Sequence, residues 1–531
     1  MSEAIARTRR DTVSEAIARA RRDTVGDAIN RAGRIHRDRE ALVFGRRTWS
    51  FAALDAGADR MAAHLLGLGL APGERVAAFG RNSDAYLLLW LGCVRAGLVH
   101  VPINYALTGS ELAYIVTQSG ARALFAAPAL EPALEAVRGK VEMLRRLDPD
   151  ELVAIARDAA LKAPADPPID ENSLAQIVYT SGTTAAPKGA MMTHRAMLAE
   201  YAAVIHHFEC SAEDRALAAL PLYHTAQMHA FTMPQLMAGA RTVLIETPEP
   251  ATVLRLIETE RITSFFAPPT VWISLLRHPD CARRDLASLR HIYYGASIMP
   301  GPVLAELRAR LPGARPFNAY GQTEIAPLAT VLTPDDHAER PASCGRPVFS
   351  VETRVVDPDM NDVAPGVHGE IVHRSPHLLV GYWNKPEETA EAFRGGWFHS
   401  GDVGYFDAAG YLYIVDRIRD VINTGGVLVA SREVEDALFT HPAVSEVAVV
   451  GLPDPKWIEA VTAFIVLRPG HTTDEAELIA HARGHLAPFK LPKRVVFVVE
   501  LPRNTAGKLL KRELRRQHAS TQHASMTGET T

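Results

Sequence analysis

Apolar positions along this chain recur with two different periods, and the switching between them divides it into parts. Helical spacing, with apolar residues every third or fourth position, runs through Val25 to His36, Phe51 to Leu68 and Tyr86 to Ala96. Short apolar runs lie between and beyond these, at Arg75 to Phe79, His100 to Val101 and Ala123 to Phe125. Helices alternating with short buried runs predict an α/β fold with a mostly parallel sheet. The rhythm returns at Arg241 to Ile245, Ser264 to Ala267 and His291 to Tyr294, so the two stretches are expected to form one large two-part body. From Ser343 to Asp416 the helices thin out, and Glu352 to Val356, Gly369 to His373 and Tyr411 to Val415 predict a small β-barrel-like module. After Asp416 comes a compact α+β unit, with strands Val444 to Gly451, Val461 to Leu467 and Val495 to Val499 and helices Ser431 to Thr440 and Glu475 to His485.

The expected fold class is therefore α/β: a large multi-part N-terminal region, built of two parallel-type subdomains plus the β module, and a smaller α+β C-terminal domain. The expected boundaries are 1–23 for an N-terminal extension, 24–416 for the body, 417–516 for the C-terminal domain and 517–531 for a polar, disordered tail. The extension is a tandem repeat, since Ser2 to Val13 recurs as Ser14 to Val25 with only Thr8 changed to Ala20. Two copies are too few for a solenoid. The second copy is expected to serve as the first helix of the fold, and removal of residues 2–13 should leave activity intact.

Composition narrows the class. Apolar residues make up 47% and charged residues 22%, and 57 basic against 61 acidic side chains leave −4, with no bulk basic charge for a nucleic-acid partner. Cys93, Cys210, Cys281 and Cys344 are far apart, which indicates neither a zinc site nor a disulfide framework. The longest apolar run, near Ala85 to Val94, is too short to span a membrane, which needs about 20 residues. A cytoplasmic enzyme is the expectation.

The chemistry begins at Tyr179-Thr180-Ser181-Gly182-Thr183-Thr184-Ala185-Ala186-Pro187-Lys188-Gly189, directly after an apolar strand pattern. Glycines let backbone approach an anion, hydroxyls and N–H groups donate to its oxygens, and Lys188 adds positive charge. A Walker loop requires Gly-Lys-Ser/Thr opening a helix, and Pro187-Lys188-Gly189 is not that. Four further segments carry complementary groups: Tyr320-Gly321-Gln322-Thr323-Glu324, Ser400-Gly401-Asp402, Asp416-Arg417-Ile418-Arg419-Asp420 and Pro502-Arg503-Asn504-Thr505-Ala506-Gly507-Lys508. Singly, each reads most simply as a turn or a solvated loop.

Together, in this order and spacing, they resemble the AMP-forming acyl-CoA synthetases of the adenylate-forming superfamily, over about Thr24 to Arg515. The resemblance implies that a carboxylate attacks the α-phosphate of ATP, giving acyl-AMP and pyrophosphate, and that CoA then displaces AMP. It implies that Thr180, Ser181, Gly182, Thr183, Thr184 and Lys188 cradle the β- and γ-phosphates, with Thr183 and Glu324 at the Mg²⁺. Lys508 matches the lysine that bridges the carboxylate and the α-phosphate. Asp402 matches the acceptor of both ribose hydroxyls, supported by Arg417. Gly295, Ala296, Ser297, Asn318, Tyr320, Gly321 and Thr323 match the adenine wall and its surroundings, and His224 the histidine between acyl pocket and nucleotide. The hinge of a mobile C-terminal domain falls at Arg419, and Gly425-Gly426 would line the exit for the pantetheine arm.

Leu428, Ser431 and Ile458 depart from the family pattern of Asn or Gln, Pro, and Gly. Leu217 to Pro234 contains no carboxylate to pair with an amino acid's ammonium group, which favours a neutral or apolar acid, and the resemblance implies a fatty or other apolar acid. Thr225, Met228, His229, Tyr294, Ile325 and Leu328 are candidate pocket-lining residues and leave fatty, aryl and steroid acids open. The expected partners are that acid, ATP and CoA, with homodimerisation left open. The alternatives are an enzyme that loads a carrier-protein phosphopantetheine and a nucleotide-binding pseudoenzyme; the retained Lys508, Glu324 and Asp402 speak against the latter.

Overall fold

The computed structural model describes residues 16–18, 20–164, 167–180, 186–297, 299–418, 420–425, 427–504 and 509–518. Residues 16–18, 20 and 21 of the second repeat copy are helical and exposed, and apart from Val25 the copy precedes the first packed helix rather than forming it. Thr24, near the end of that copy, instead caps the helix Val25–Ile35 through a reciprocal box with Asp27. The first repeat copy lies outside the described residues.

A six-stranded sheet runs in the order Met143–Arg146, Ala123–Ala126, Arg75–Phe79, Val99–Ile103, Leu174–Thr180, Lys188–Thr193. Its described pairings are parallel except for the final hairpin. Helix Asp84–Ala96 packs into this half, capped by Ser83 and stopped at Gly97, whose φ of 74° suits only glycine well. Nearly all of that helix is buried, so the longest apolar run of the sequence is a core helix. Asp84 is buried on it and is neutralised by Arg47 through two 2.7 Å bonds and by the Trp49 indole at 3.0 Å.

The second sheet has nine strands, in the order Arg346–Pro347, Leu328–Leu332, Arg315–Gly321, His291–Gly295, Ser264–Phe266, Arg215–Ala218, Arg241–Leu244, Glu40–Phe44, Arg47–Ser50. It is parallel inside and antiparallel at both edges. The N-terminal strands Glu40–Phe44 and Arg47–Ser50 extend this later sheet, which joins the two halves of the body.

The β module is an antiparallel sheet in the order Glu352–Val356, Gly369–Arg374, Phe398–Phe406, Leu412–Arg417, an open sheet with no pairing of its outer strands among the described residues. The C-terminal sheet is built on the long hairpin Val444–Asp454/Ile458–Leu467, flanked by Ile422–Thr424, Val427–Val429 and Arg494–Phe497 and covered by helices Ser431–Phe439 and Glu475–Arg483. All four cysteines are free, and no described helix is long and apolar enough to cross a membrane.

Candidate active site

The phosphate-loop segment is the turn of a hairpin. Thr180 pairs directly opposite Lys188, so the ends of the intervening loop are held together by the ladder. Ser181, Gly182, Thr183 and Thr184 lie outside the described residues. The Lys188 ammonium stands 5.1 Å from the centre of the Tyr382 ring, and the Gly189 carbonyl accepts from the Trp383 N–H at 2.8 Å. The Tyr382 hydroxyl and the Thr180 hydroxyl both donate to Glu324 Oε1, each at 3.2 Å. Burial, then the neighbouring Glu324, pushes the Tyr382 phenol far up, so it stays a donor.

Glu324 sits on the single turn Thr323–Ile325 that follows strand Arg315–Gly321. Its backbone carbonyl accepts from Leu379 N–H at 2.9 Å, which anchors the turn to the segment before Tyr382. One residue earlier, the Thr323 hydroxyl meets the Thr225 hydroxyl at 3.2 Å. Thr225 follows His224, whose Nδ1 accepts from the Ala226 N–H at 3.3 Å, so a neutral ring carries its proton on Nε2. Residues Ala226–Thr232 then form a wide π-helical segment, a local geometry that clusters at functional sites.

Strand Arg315–Gly321 also supplies the nucleoside side. Its register places Asn318 beside Tyr294 and Ala319 beside Gly295. A Cβ on Gly295 would run into the Ala319 carbonyl, and one on Gly321 into the Pro327 carbonyl, so close backbone approach requires glycine at both. Ala296 has φ 61°, and Ala296 and Ser297 are exposed at the strand end. The Asn318 amide donates to the Ser343 carbonyl at 2.9 Å. The Tyr320 hydroxyl donates to Asp402 Oδ2 at 2.8 Å, and Arg417 Nε lies 3.2 Å from Asp402 Oδ1. Asp402 and Arg417 are directly opposed in neighbouring strands. Because Arg417 is partly exposed, the pair orients Asp402 more than it stabilises the fold.

Two clusters thus meet on one strand and its following turn: Thr180, Lys188, Glu324, Thr323 and His224 toward one end, and Asn318, Tyr320, Asp402 and Arg417 along it. Gly425, with φ 66°, donates to the Trp457 carbonyl at 2.6 Å within the C-terminal sheet, apart from either cluster. Arg419, Gly426 and Lys508 lie outside the described residues. The chain around Lys508 closes on itself through a bridge between Arg503 and Leu509.

Among the described residues no group of three or more His, Cys, Asp or Glu could cage a metal. A single buried carboxylate amid hydroxyls suits Mg²⁺, which keeps most of its ligands as water and phosphate oxygens. The proposed lining residues Thr225, Met228, His229, Tyr294, Ile325 and Leu328 are all nearly inaccessible. Their polar atoms are largely engaged: Tyr294 OH lies 2.9 Å from His337, and His229 joins a buried chain. In that chain the Gln176 amide reaches His100 Nδ1 at 3.0 Å, Gln176 Oε1 meets His229 Nε2 at 2.9 Å, and Tyr201 OH meets His229 Nδ1 at 2.6 Å. Burial holds His100 and His229 down at about 3, so both rings are neutral.

Sequence reasoning missed Tyr382, although a Gly-Tyr pair ending the apolar run Leu378 to Val380 was its available signal. It also missed the buried chain, whose members are spread over four separate elements.

Residues 29–383 match the family model described as AMP-binding enzyme, and 433–508 the model of its C-terminal domain. The chain belongs to the AMP-binding enzymes. It is similar to a feruloyl-CoA synthase of Amycolatopsis sp, 38% identical over 90% of this chain and 95% of the relative. It is also similar to the fatty acid–acyl-carrier-protein ligase ScoC of Streptomyces coeruleorubidus, 35% identical over 90% and 92%. The structure of ATP-bound MatB from Rhodopseudomonas palustris superposes with a TM-score of 0.86 at 32% identity, covering 93% of this chain and 99% of that one. This member of the adenylate-forming superfamily is an AMP-forming acid–thiol ligase that uses ATP, Mg²⁺ and CoA.

Proposed function

We propose that the enzyme activates an apolar carboxylic acid, with aryl acids the leading candidates, and transfers the acyl group to free CoA. The observation that carries this reading is the placement of an acyl-side histidine, a phosphate-side carboxylate and a ribose-side aspartate around one strand, Arg315–Gly321, and its following turn. An apolar acid is supported by the absence of Asp and Glu among the candidate residues Thr225, Met228, His229, Tyr294, Ile325 and Leu328, and the feruloyl-CoA synthase among the relatives supports an aryl acid.

In the first step the acid's carboxylate oxygen attacks the α-phosphorus, and pyrophosphate leaves. The hairpin Thr180–Lys188 holds the leaving phosphates, where its cation and donors act on the charge that develops. Glu324 and Thr183 would hold Mg²⁺, which would supply a hard positive charge against the phosphates. Tyr382 and Thr180 fix the Glu324 carboxylate by bonding one of its oxygens. Asp402 accepts the ribose hydroxyls, held in place by Tyr320 and Arg417. His224, with its proton on Nε2, donates between the carboxylate and the nucleotide. Lys508 bridges the acid's carboxylate and the α-phosphate in this step only. The C-terminal unit, taken as residues 417–516, then turns about Arg419, and the CoA thiol attacks the carbonyl while AMP leaves.

The deciding experiment is a CoA-dependent AMP-release screen over aryl, fatty and steroid acids, run in parallel with acylation of a carrier protein. Turnover of aryl acids with free CoA is expected. Acylation of the carrier alone would support the carrier-loading reading that ScoC brings to mind. Lys508→Ala should cut ATP–pyrophosphate exchange by about a thousandfold while preformed acyl-AMP still reacts with CoA. Unchanged exchange in that variant would sink the mechanism.

A further inference from the structure

Asn82 lies outside every motif above, in the turn between strand Arg75–Phe79 and helix Asp84–Ala96, and is 3% exposed. Its carboxamide is spent on backbone. Nδ2 donates to the Leu220 carbonyl at 2.8 Å and to the Ile245 carbonyl at 2.9 Å, and Oδ1 accepts from the Leu222 N–H at 2.8 Å. All three partners belong to the other sheet: Leu220 and Leu222 follow strand Arg215–Ala218, and Ile245 follows strand Arg241–Leu244. One side chain from a loop of the six-stranded sheet therefore grips two strand ends of the nine-stranded one.

The gripped segment runs directly into Tyr223 and His224. It has left the sheet ladder at Ala218, and Pro221 has no N–H to offer, so the ladder cannot set its path. Asn82 holds one backbone group on each side of that proline. Local ties in the same segment are Leu220 N–H to Gln227 Oε1 at 3.2 Å and His224 N–H to the Pro221 carbonyl at 3.1 Å. The same turn braces the neighbouring ring, since the Arg81 guanidinium lies 5.0 Å from the Tyr105 ring, which meets Tyr223 edge-on at 5.7 Å.

The geometry points to Asn82 as the positioning residue for His224, setting from 2.8 Å contacts the segment that aims the imidazole at the reacting carboxylate. This rests on the reading of His224 given under Proposed function. Only a carboxamide of this length supplies two donors and one acceptor in one plane; aspartate loses both donors, and alanine orphans three backbone groups.

A double-mutant cycle tests it. Asn82→Ala, Asn82→Ser, His224→Ala and the two doubles are assayed by ATP–pyrophosphate exchange with an acid the wild type turns over, below the measured melting temperature of each variant. Asn82→Ala is expected to lower the exchange kcat about 10- to 100-fold, as small misplacements of a catalytic group do. The KM for ATP should move by less than about threefold, since the nucleotide contacts lie elsewhere. On the His224→Ala background the same substitution should cost less than about threefold, because its route to the chemistry is already gone. Asn82→Ser, which keeps one hydroxyl, should fall between, and it carries the cycle if the alanine variant does not fold. Equal losses on both backgrounds, or a lowered melting temperature with unchanged kcat, would overturn the assignment. If His224→Ala alone leaves exchange unchanged, the reading of His224 fails, and that result is visible without any substitution at Asn82.

Discussion

Asp402 and Asp416 face each other's territory across one hairpin, and they are enclosed by different kinds of partner. Asp402, 4% exposed, is held by two side chains, Tyr320 of strand Arg315–Gly321 and Arg417 of the neighbouring strand Leu412–Arg417. Asp416, 8% exposed, accepts from the Ser431 N–H and the Ser431 hydroxyl, both at 2.7 Å, and from the Arg417 N–H at 2.8 Å. Ser431 in turn accepts from Lys511 at 2.5 Å, and Lys511 pairs with Glu435 at 2.8 Å. The first aspartate is oriented by side chains and is the one proposed to meet a ligand, whereas the second accepts from Ser431 and so ties helix Ser431–Phe439 to strand Leu412–Arg417. Their donors rather than their burial distinguish the two carboxylates.

Asp402→Asn should separate them most sharply. Losing a charged acceptor for ribose hydroxyls is expected to raise the KM for ATP about 10- to 100-fold, the effect of roughly 1.5–3 kcal/mol. Asp416→Asn should leave that KM near the wild-type value and alter the ratio of the two half-reactions instead. A comparable rise in both variants would break the division.

An effect on stability rather than on activity is expected from pH, and it should strike the body rather than the C-terminal unit. Burial lowers His100, His229 and His373 to about 3, and His194, His337 and His377 to about 4, and all six lie in the body. Folded values below the unfolded value of about 6.5 mean that their contribution is complete above pH 6.5 and is lost as pH falls toward 4 and 3. Each costs up to about 1.4 kcal/mol per pH unit in that window. Hydrogen exchange between pH 7 and pH 5 should show the body loosening first; equal loosening of helix Ser431–Phe439 would contradict this.

A smaller effect is expected for Ser431→Pro. Proline is well tolerated at the first residue of a helix, but here it deletes both bonds to Asp416. A loss of about 1–2 kcal/mol in the C-terminal unit, read by hydrogen exchange of Ser431–Phe439, is expected. Unaltered protection would show that Lys511 and Glu435 suffice.

The smallest is Glu200→Gln. Burial raises this carboxyl well above its ordinary value, and its oxygens have no side-chain partner. A raised folded value means that its contribution is complete below about pH 4.5 and is lost as pH rises. The melting temperature of Glu200→Gln relative to wild type should therefore grow from pH 5 to pH 8, and a constant difference would refute the buried neutral acid.

Much of this was legible beforehand where the chemistry is local. The hairpin at Thr180–Lys188 announces itself because its strand, turn residues and cation are contiguous, whereas Ser400-Gly401-Asp402, which alone reads as a turn, lies inside strand Phe398–Phe406 because pairing with the strands on both sides carries through it. The boundaries of strand Arg75–Phe79 followed from apolar spacing alone, whereas Val99–Ile103 extended beyond the expected His100 to Val101 because pairing on both sides recruits flanking residues. Asn82 was invisible because its partners are backbone atoms 138 to 163 residues away, which leave no side-chain signature. Ser431 was seen only as a departure from a pattern. Its meaning emerged from Asp416 and Lys511, which approach it through tertiary packing.

Strand Arg315–Gly321 and its following turn carry Asn318, Tyr320, Thr323 and Glu324 on one continuous stretch of backbone. The nucleoside and phosphate contacts proposed for these residues are therefore mechanically coupled: a shift of that stretch moves both. The acyl side hangs on a separate piece, the segment after Ala218 and its π-helical continuation. On the proposed reading, redesign of acid preference has a place to work in Met228 to Thr232, beyond the Thr225 hydroxyl that ties this segment to Thr323.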